Sequence, residues 1–242
     1  FSAEECGLLG SKHYVDNPVL PLEGIRGVIN LDTVGSLGQA PLAIHGTGTA
    51  DEWQHIFRGC GFVTGIASKN VPEGAEGSDQ WSFIQKGVPA VQIVTGAGLH
   101  YHRSTDTVEH VDFAGLVQVA TFLKEAVVYM VERPEPMKVT IDGVQAAAPP
   151  TTNVRRGVSF GSIPEYGFSG EGMLLGGVSP GSPAEKAGLL AGDVLIQIDD
   201  QVIAKTRDFA NVLKTLTGGQ TVQATVLRGG KKATFAVTVI ER

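Results

Sequence analysis

At 242 residues the chain is long enough for one large domain or two modest ones. Its hydrophobic content of 42% suffices for a packed core, and its net charge of −6, with no basic stripe, excludes a nucleic-acid-binding role. No apolar run approaches the ~20 residues of a membrane span, and no signal peptide is visible from Phe1 onward. Glycine is frequent, 32 residues, but dispersed, as expected of turns and close backbone approaches. The two cysteines, Cys6 and Cys60, have no metal-like spacing and are expected to be buried free thiols.

In chain order, the spacing predicts a helix from about Cys6 to Val15 and strands over Gly27–Asp32 and Pro41–His45. A helix is predicted over Asp51–Cys60, a strand over Gly61–Ile66, a helix over Asp79–Lys86 and a strand over Ala90–Thr95. Asp112 is a good N-cap for a long helix, Phe113–Val131, whose Leu116, Val119, Ala120, Leu123, Val127 and Met130 keep helical spacing. Alternating strands and helices imply a sheet covered by helices. Residues 134–153, rich in Pro and Ala, read as a linker, with one short strand allowed over Met137–Ile141. From Val154 a second, β-rich unit is expected. Its strands are predicted over Val158–Ile163, Leu174–Val178, Val194–Ile198, Thr221–Leu227 and Thr234–Ile240. Its helices are Pro183–Ala187 and Thr206–Leu216. The part before Pro150 is acidic and the remainder carries a small positive charge.

Metal-dependent hydrolysis needs ligands from separate elements and a base for the water. Glu4 and Glu5 are adjacent acids ahead of a helix; such pairs also decorate solvated helix faces. Asp32 ends an apolar strand, where a carboxylate caps a turn, pairs or ligates a metal. His100 and His102, two residues apart, point the same way on an extended segment. Asp106 is close enough to orient an imidazole. Ser78 or Asp79 is placed to cap the next helix.

Four segments in order, F-S-A-E-E-C-G-L-L-G-S, I-N-L-D-T-V-G, G-S-D-Q-W-S-F-I-Q-K-G-V-P-A-V and Y-H-R-S-T-D-T, resemble the motifs of the di-zinc aminopeptidase family. That family includes glutamate carboxypeptidase and, more distantly, glutaminyl cyclase. The resemblance covers about Phe1–Glu132 and implies a mixed-sheet α/β exopeptidase fold, N-terminally incomplete. It implies that Glu4 is the general base, that Glu5 and His102 bind one zinc and that Asp32 binds the other. Asp79 and Tyr101 fall near the family's substrate pocket. The family's pattern begins upstream with a His-x-Asp motif, whereas this chain starts at the Glu pair. His110-Val111-Asp112 sits at a helix start and is not that motif. The expectation is a C-terminal portion that does not form a normal di-zinc site alone.

The stretch V-S-P-G-S-P-A-E-K-A-G-L-L-A-G-D-V-L-I-Q-I-D-D-Q-V-I resembles PDZ domains of bacterial proteases. Such domains add a peptide as a strand and hold its carboxylate on backbone N–H groups. The resemblance places the carboxylate loop at Val158, Ser159, Phe160 and Gly161, with Phe209, Leu213 and Leu216 as candidate pocket walls or plain core. The expected organisation is a zinc peptidase portion over residues 1–133, a linker over 134–153 and a PDZ domain over 154–242. The expected activity is a zinc aminopeptidase with two zincs in the complete enzyme. A PDZ module binding peptide or protein C-termini and, by analogy, an extracytoplasmic location go with it. The alternatives are a non-catalytic PDZ scaffold and a related metal-dependent amidohydrolase or cyclase.

Overall fold

The computed structural model describes residues 1–74, 76–141, 157–165, 168 and 170–241. The chain divides into two compact units, Phe1–Gly96 with Glu109–Asn153, and Ala97–Val108 with Val154–Arg242. The expected linker lies outside the described residues from 142 onward.

The first unit contains α1 (Leu9–Asp16), β1 (Val28–Leu31), β2 (Leu42–His45), α2 (Trp53–Thr64), β3 (Ser68–Val71), α3 (Gln80–Ile84), β4 (Ala90–Val94) and α4 (Phe113–Glu132). Its sheet runs β1-β4-β2-β3. β1 is parallel to β4 and β2 to β3, while β2 and β4 are antiparallel, so the sheet is mixed. Every residue of β4 is buried, as suits an interior strand with its near-continuous apolar run. One core cluster joins α2 and α4 to the sheet. In it the rings of Trp53 and Phe57 stack at 5.5 Å and those of Phe57 and Phe122 at 6.0 Å. A second cluster gathers Val15, Phe83, Ile84, Val88 and Ala90 beneath α1 and α3.

Three sequence expectations are corrected here. Gly61–Ile66 is not a strand: α2 continues through Thr64 and the strand is β3. The helix stops only at Gly65, whose φ of 71° gives the left-handed cap and whose N–H donates to the Gly61 carbonyl. The stripe of α4 that faces inward is Gly115, Val119, Phe122 and Ala126, while Ala120 and Val127 are exposed. Packing against α2 selects that stripe. α4 is also long and apolar enough, by length and composition alone, to cross a membrane. Met137–Ile141 forms no strand, only a single bridge between Val139 and Ala50.

The Asp112 carboxylate caps α4 by accepting from the Gly115 N–H at 2.8 Å, and it also accepts from Gly38 N–H at 3.0 Å. These two bonds hold its carboxyl below the usual range. Cys6 and Cys60 are both free thiols, but Cys6 is exposed rather than buried.

The second unit contains β5 (Val158–Ser159), β6 (Ser162–Pro164), β7 (Met173–Val178), α5 (Pro183–Lys186), β8 (Val194–Ile198), β9 (Gln201–Val202), α6 (Thr206–Thr215), β10 (Thr221–Arg228), β11 (Lys231–Thr238) and β12 (Ile240–Glu241). The main sheet runs β11-β10-β8-β7-β6, with β9 on β8; β12 and β5 form a separate pair. The strand expected over Val158–Ile163 is thus two strands broken at Phe160-Gly161, and that over Thr234–Ile240 is β11 followed by β12. The helix α5 starts as its sequence requires, with Ser182 Oγ accepting from Glu185 N–H at 3.2 Å and Pro183 at the first turn. The Asp208 carboxylate accepts from the Ala204 and Lys205 N–H groups ahead of α6, at 3.0 and 2.9 Å.

Candidate functional site

Glu4 and Glu5 lie in a tight turn that leads into α1; among the described residues no strand precedes them. The Glu4 carbonyl accepts from the N–H groups of Gly7 at 2.9 Å and Leu8 at 2.8 Å. Glu4 is half-buried and Glu5 exposed. Gly10 is required close by, because a Cβ there would strike the backbone oxygen of Ser2. The turn is strained: Ala3 and Leu8 have φ of 56° and 61°.

Asp32 follows the last residue of β1, at the carboxyl end of a strand whose parallel neighbour is β4. Its Oδ1 accepts from Thr33 Oγ1 at 3.1 Å and its Oδ2 from Gln92 Nε2 at 3.3 Å. Gln92 Oε1 in turn accepts from Gln80 Nε2 at 3.2 Å, and Gln80 Oε1 accepts from Asn30 Nδ2 at 2.8 Å. Asn30 Nδ2 also donates to Ser78 Oγ at 2.8 Å. This relay ties β1, β4 and the start of α3 to one carboxylate. Sequence reasoning missed it. Its signal was the lone polar Gln92 in the apolar run A-V-Q-I-V.

Asp79 opens α3 but its side chain makes no capping hydrogen bond, and the Ser78 hydroxyl accepts from Asn30. Asp79 is buried. Its Oδ2 lies 3.3 Å from the Phe1 α-ammonium, and its Oδ1 has no partner among the described residues. An orphaned buried carboxylate oxygen is costly and needs an explanation.

Tyr101 and His102 stack with ring centroids 3.9 Å apart, and His102 is exposed with a φ of 58°. His100 Nδ1 is 3.0 Å from Thr105 Oγ1. Their segment, Ala97–Val108, groups with the second unit.

Carboxylate oxygens and imidazole nitrogens are donors that zinc accepts. Asp32 has lone-pair sites to spare beyond the two hydrogen bonds it accepts. Among the described residues, however, no three His, Cys, Asp or Glu side chains come together as a metal centre. Three donors also fall short of two four-coordinate ions. The donor chemistry therefore suits zinc, while the described residues do not make a complete centre.

In the second unit, Gly161 has a φ of 85°, and a Cβ there would collide with Cβ and Oγ of Ser182. The Phe160 carbonyl accepts from Ala184 N–H at 2.9 Å and the Gly161 carbonyl from Ser179 N–H at 2.8 Å. Ser159 pairs with Ile240. Phe160 meets Phe209 edge to face at 5.3 Å and 87°. Phe160, Phe209 and Leu213 are all in the unit's core cluster, with Leu216 packed against it.

The model of Peptidase family M28 matches residues 1–127. The chain belongs to peptidase family M28. A PDZ domain model matches residues 157–239, so an M28 region with a mixed sheet is followed by a β-rich PDZ domain. A probable periplasmic serine endoprotease, DegP-like, from Marinomonas is 38% identical over 71 residues, 29% of this chain and 15% of that one. Leupeptin-inactivating enzyme 1 from Streptomyces exfoliatus is 32% identical over 99 residues, 40% of this chain and 22% of that one. The solved structure of BSAP, a zinc aminopeptidase from Bacillus subtilis, is 28% identical, with a TM-score of 0.48 over 58% of this chain and 38% of that one. The M28 chain thus spans well under half the length of each of these relatives. M28 members are hydrolases and typically zinc peptidases, and a PDZ domain implies binding of peptides or protein C-termini.

Proposed function

We propose that this M28 chain is the portion of a zinc-dependent aminopeptidase that carries its base and three of its metal donors, joined to a PDZ domain that takes a peptide or protein C-terminus. The observation that carries the reading is the M28 match over residues 1–127, with Glu4, Glu5, Asp32 and His102 in ordered motifs. Backbone strain supports it. Among the described residues the non-glycine positions with positive φ are Ala3, Leu8, Thr33, His102 and Asp199. All but the last lie at or beside the proposed site residues, and such strain gathers at functional sites.

In this reading Glu4 takes a proton from the attacking water and passes it to the leaving amine. Glu5 and His102 would hold one zinc and Asp32 the other, together with donors beyond these three. Zinc, when bound, polarises the scissile carbonyl and acidifies water. Asp79, with its orphaned oxygen, and Tyr101 contact substrate. Ser159, Phe160 and Gly161 form the carboxylate loop of the PDZ domain, with Phe209 and Leu213 supporting the groove from the core. The likeness of the PDZ domain to that of a probable periplasmic DegP-like endoprotease favours an extracytoplasmic location.

The test is hydrolysis of aminoacyl-arylamides, with zinc content measured in parallel. In the whole enzyme of which this chain is a portion, Glu4→Gln is expected to lower turnover about 10²–10⁴-fold while bound zinc is unchanged. Unchanged turnover removes Glu4 as the base. The second reading is a PDZ scaffold without catalysis, which rests on the PDZ match over residues 157–239 alone. Stoichiometric zinc with arylamidase activity excludes it.

A further inference from the structure

The edge of the PDZ sheet is β6, which pairs with β7 on one side and, among the described residues, with no strand on the other. A peptide joining such an edge gains affinity from main-chain hydrogen bonds. The register sets how many it can gain. The Gly161 carbonyl accepts from Ser179 N–H at 2.8 Å, Ile163 lies opposite Gly177, and Glu165 N–H donates to the Leu174 carbonyl at 2.9 Å. Backbone polar groups alternate between the two sides of a strand, so residues 161, 163 and 165 address β7 while 162 and 164 address the open edge. The register shift places its extra residue, Gly176, on β7, so the alternation along β6 is unbroken.

Residue 164 is proline and has no N–H to give. The open edge from 162 to 164 therefore offers one donor, Ser162 N–H, and two acceptors, the carbonyls of Ser162 and Pro164. The Ser162 hydroxyl is buried and has no partner among the described residues. Hydrogen-bonding capacity is concentrated at the end nearest the carboxylate loop and falls away at Pro164.

We infer that Pro164 restricts the PDZ domain to short C-terminal tails, read over their last two or three residues. This rests on the PDZ reading given above. A longer peptide kept in register sets a backbone carbonyl against the pyrrolidine ring, where it loses water and gains no donor. Strand addition is then no longer favourable, and the ligand chain turns away from the edge. Affinity resides in the free carboxylate and the residues next to it.

The experiment uses the full chain and peptides selected from a random seven-residue library with free C-termini, then synthesised at seven, five and three residues. The unaltered protein is expected to bind all three lengths within about threefold, since Pro164 gives the longer peptides no N–H donor. Pro164→Ala restores an N–H and is expected to tighten binding of the seven-residue peptide about 3–10-fold, the worth of one hydrogen bond, but not that of the three-residue peptide. Affinity of the unaltered protein that rises tenfold or more with length overturns the inference. So does a folded Pro164→Ala protein that gains nothing on the long peptide. If that variant does not fold, the length series decides by itself. Amidated peptides that bind as well as free acids, or a library that yields no binder, overturn the PDZ reading beneath it, and the inference with it.

Discussion

Gln92 holds the Asp32 carboxylate from the neighbouring strand: its Nε2 donates to Asp32 Oδ2 at 3.3 Å, while its Oε1 accepts from Gln80. Gln92 is itself buried, 8% exposed, and Gln80 is fully buried, so Gln80 has no water to replace it, while Asp32 is half-buried. Gln92→Leu leaves Asp32 and Gln80 each short of a hydrogen bond and is expected to cost about 1–3 kcal/mol, measurable by urea denaturation. Where Asp32 ligates zinc, the same change is expected to weaken zinc binding about 10–100-fold in competition with a chelator. A Gln92→Leu protein of unaltered stability contradicts the relay.

Gly161 combines a φ of 85° with contact against Ser182, so both conformation and space exclude a side chain. Gly161→Ala is expected to lower stability by about 2 kcal/mol or more and to abolish binding of C-terminal peptides. Thermal unfolding and peptide titration read the two effects separately.

Phe209 is 4% exposed and packs edge-on against Phe160. Phe209→Ala removes a core ring and is expected to cost about 3–5 kcal/mol in denaturant unfolding. A loss of peptide binding with little loss of stability would make Phe209 a pocket wall instead of core.

Asp193 is 1% exposed and its carboxylate accepts from Arg228 Nε and Nη2, both at 2.7 Å, and from Leu190 N–H at 2.9 Å. Burial by itself pushes its carboxyl up, but the hydrogen bonds and charge of Arg228 and the Leu190 N–H outweigh it, and the net shift is downward. A depressed carboxyl stabilises the fold fully above the ordinary Asp pKa of about 4, and that contribution is lost as pH falls through the lowered folded value. PDZ stability is therefore expected to be level near neutrality and to fall below about pH 4. Asp193→Asn should flatten that acid limb in denaturation curves taken from pH 7 to pH 3.

Burial, and then the nearby charge of Glu125, push the Cys60 thiol up to about 11, whereas Cys6 is exposed. Iodoacetamide at pH 8 is expected to label one cysteine per native chain, Cys6, and both after denaturation. Two labels on the folded protein would place Cys60 at the surface.

The start of α4 was legible because its signal is local: Asp112 caps the first turn with its own side chain. The end of α2 was not, because Gly61 and Gly65 look alike in sequence and only the second adopts the left-handed cap. The expected stripe of α4 holds at Val119, Leu123 and Met130, which pack in the core, and fails at Ala120 and Val127, because an apolar helix offers several faces and contact with α2 chooses one. At the site, Glu4, Glu5, Asp32 and His102 stood out by motif order. The relay behind Asp32 did not, since Asn30, Gln80 and Gln92 meet only after three separate segments pack.

The local and ordered features were readable in the sequence: the capped start of α4, most of the strands, the order of the acid and histidine motifs, and the glycine-marked loop at Gly161. Each depends on residues within a few positions of one another. Only the tertiary structure decided which partners those residues meet. It set Gln92 behind Asp32, turned Phe209 into the core, and left β6 at a sheet edge where Pro164 removes a donor. Those outcomes depend on strand order and packing between distant segments, which no local spacing encodes.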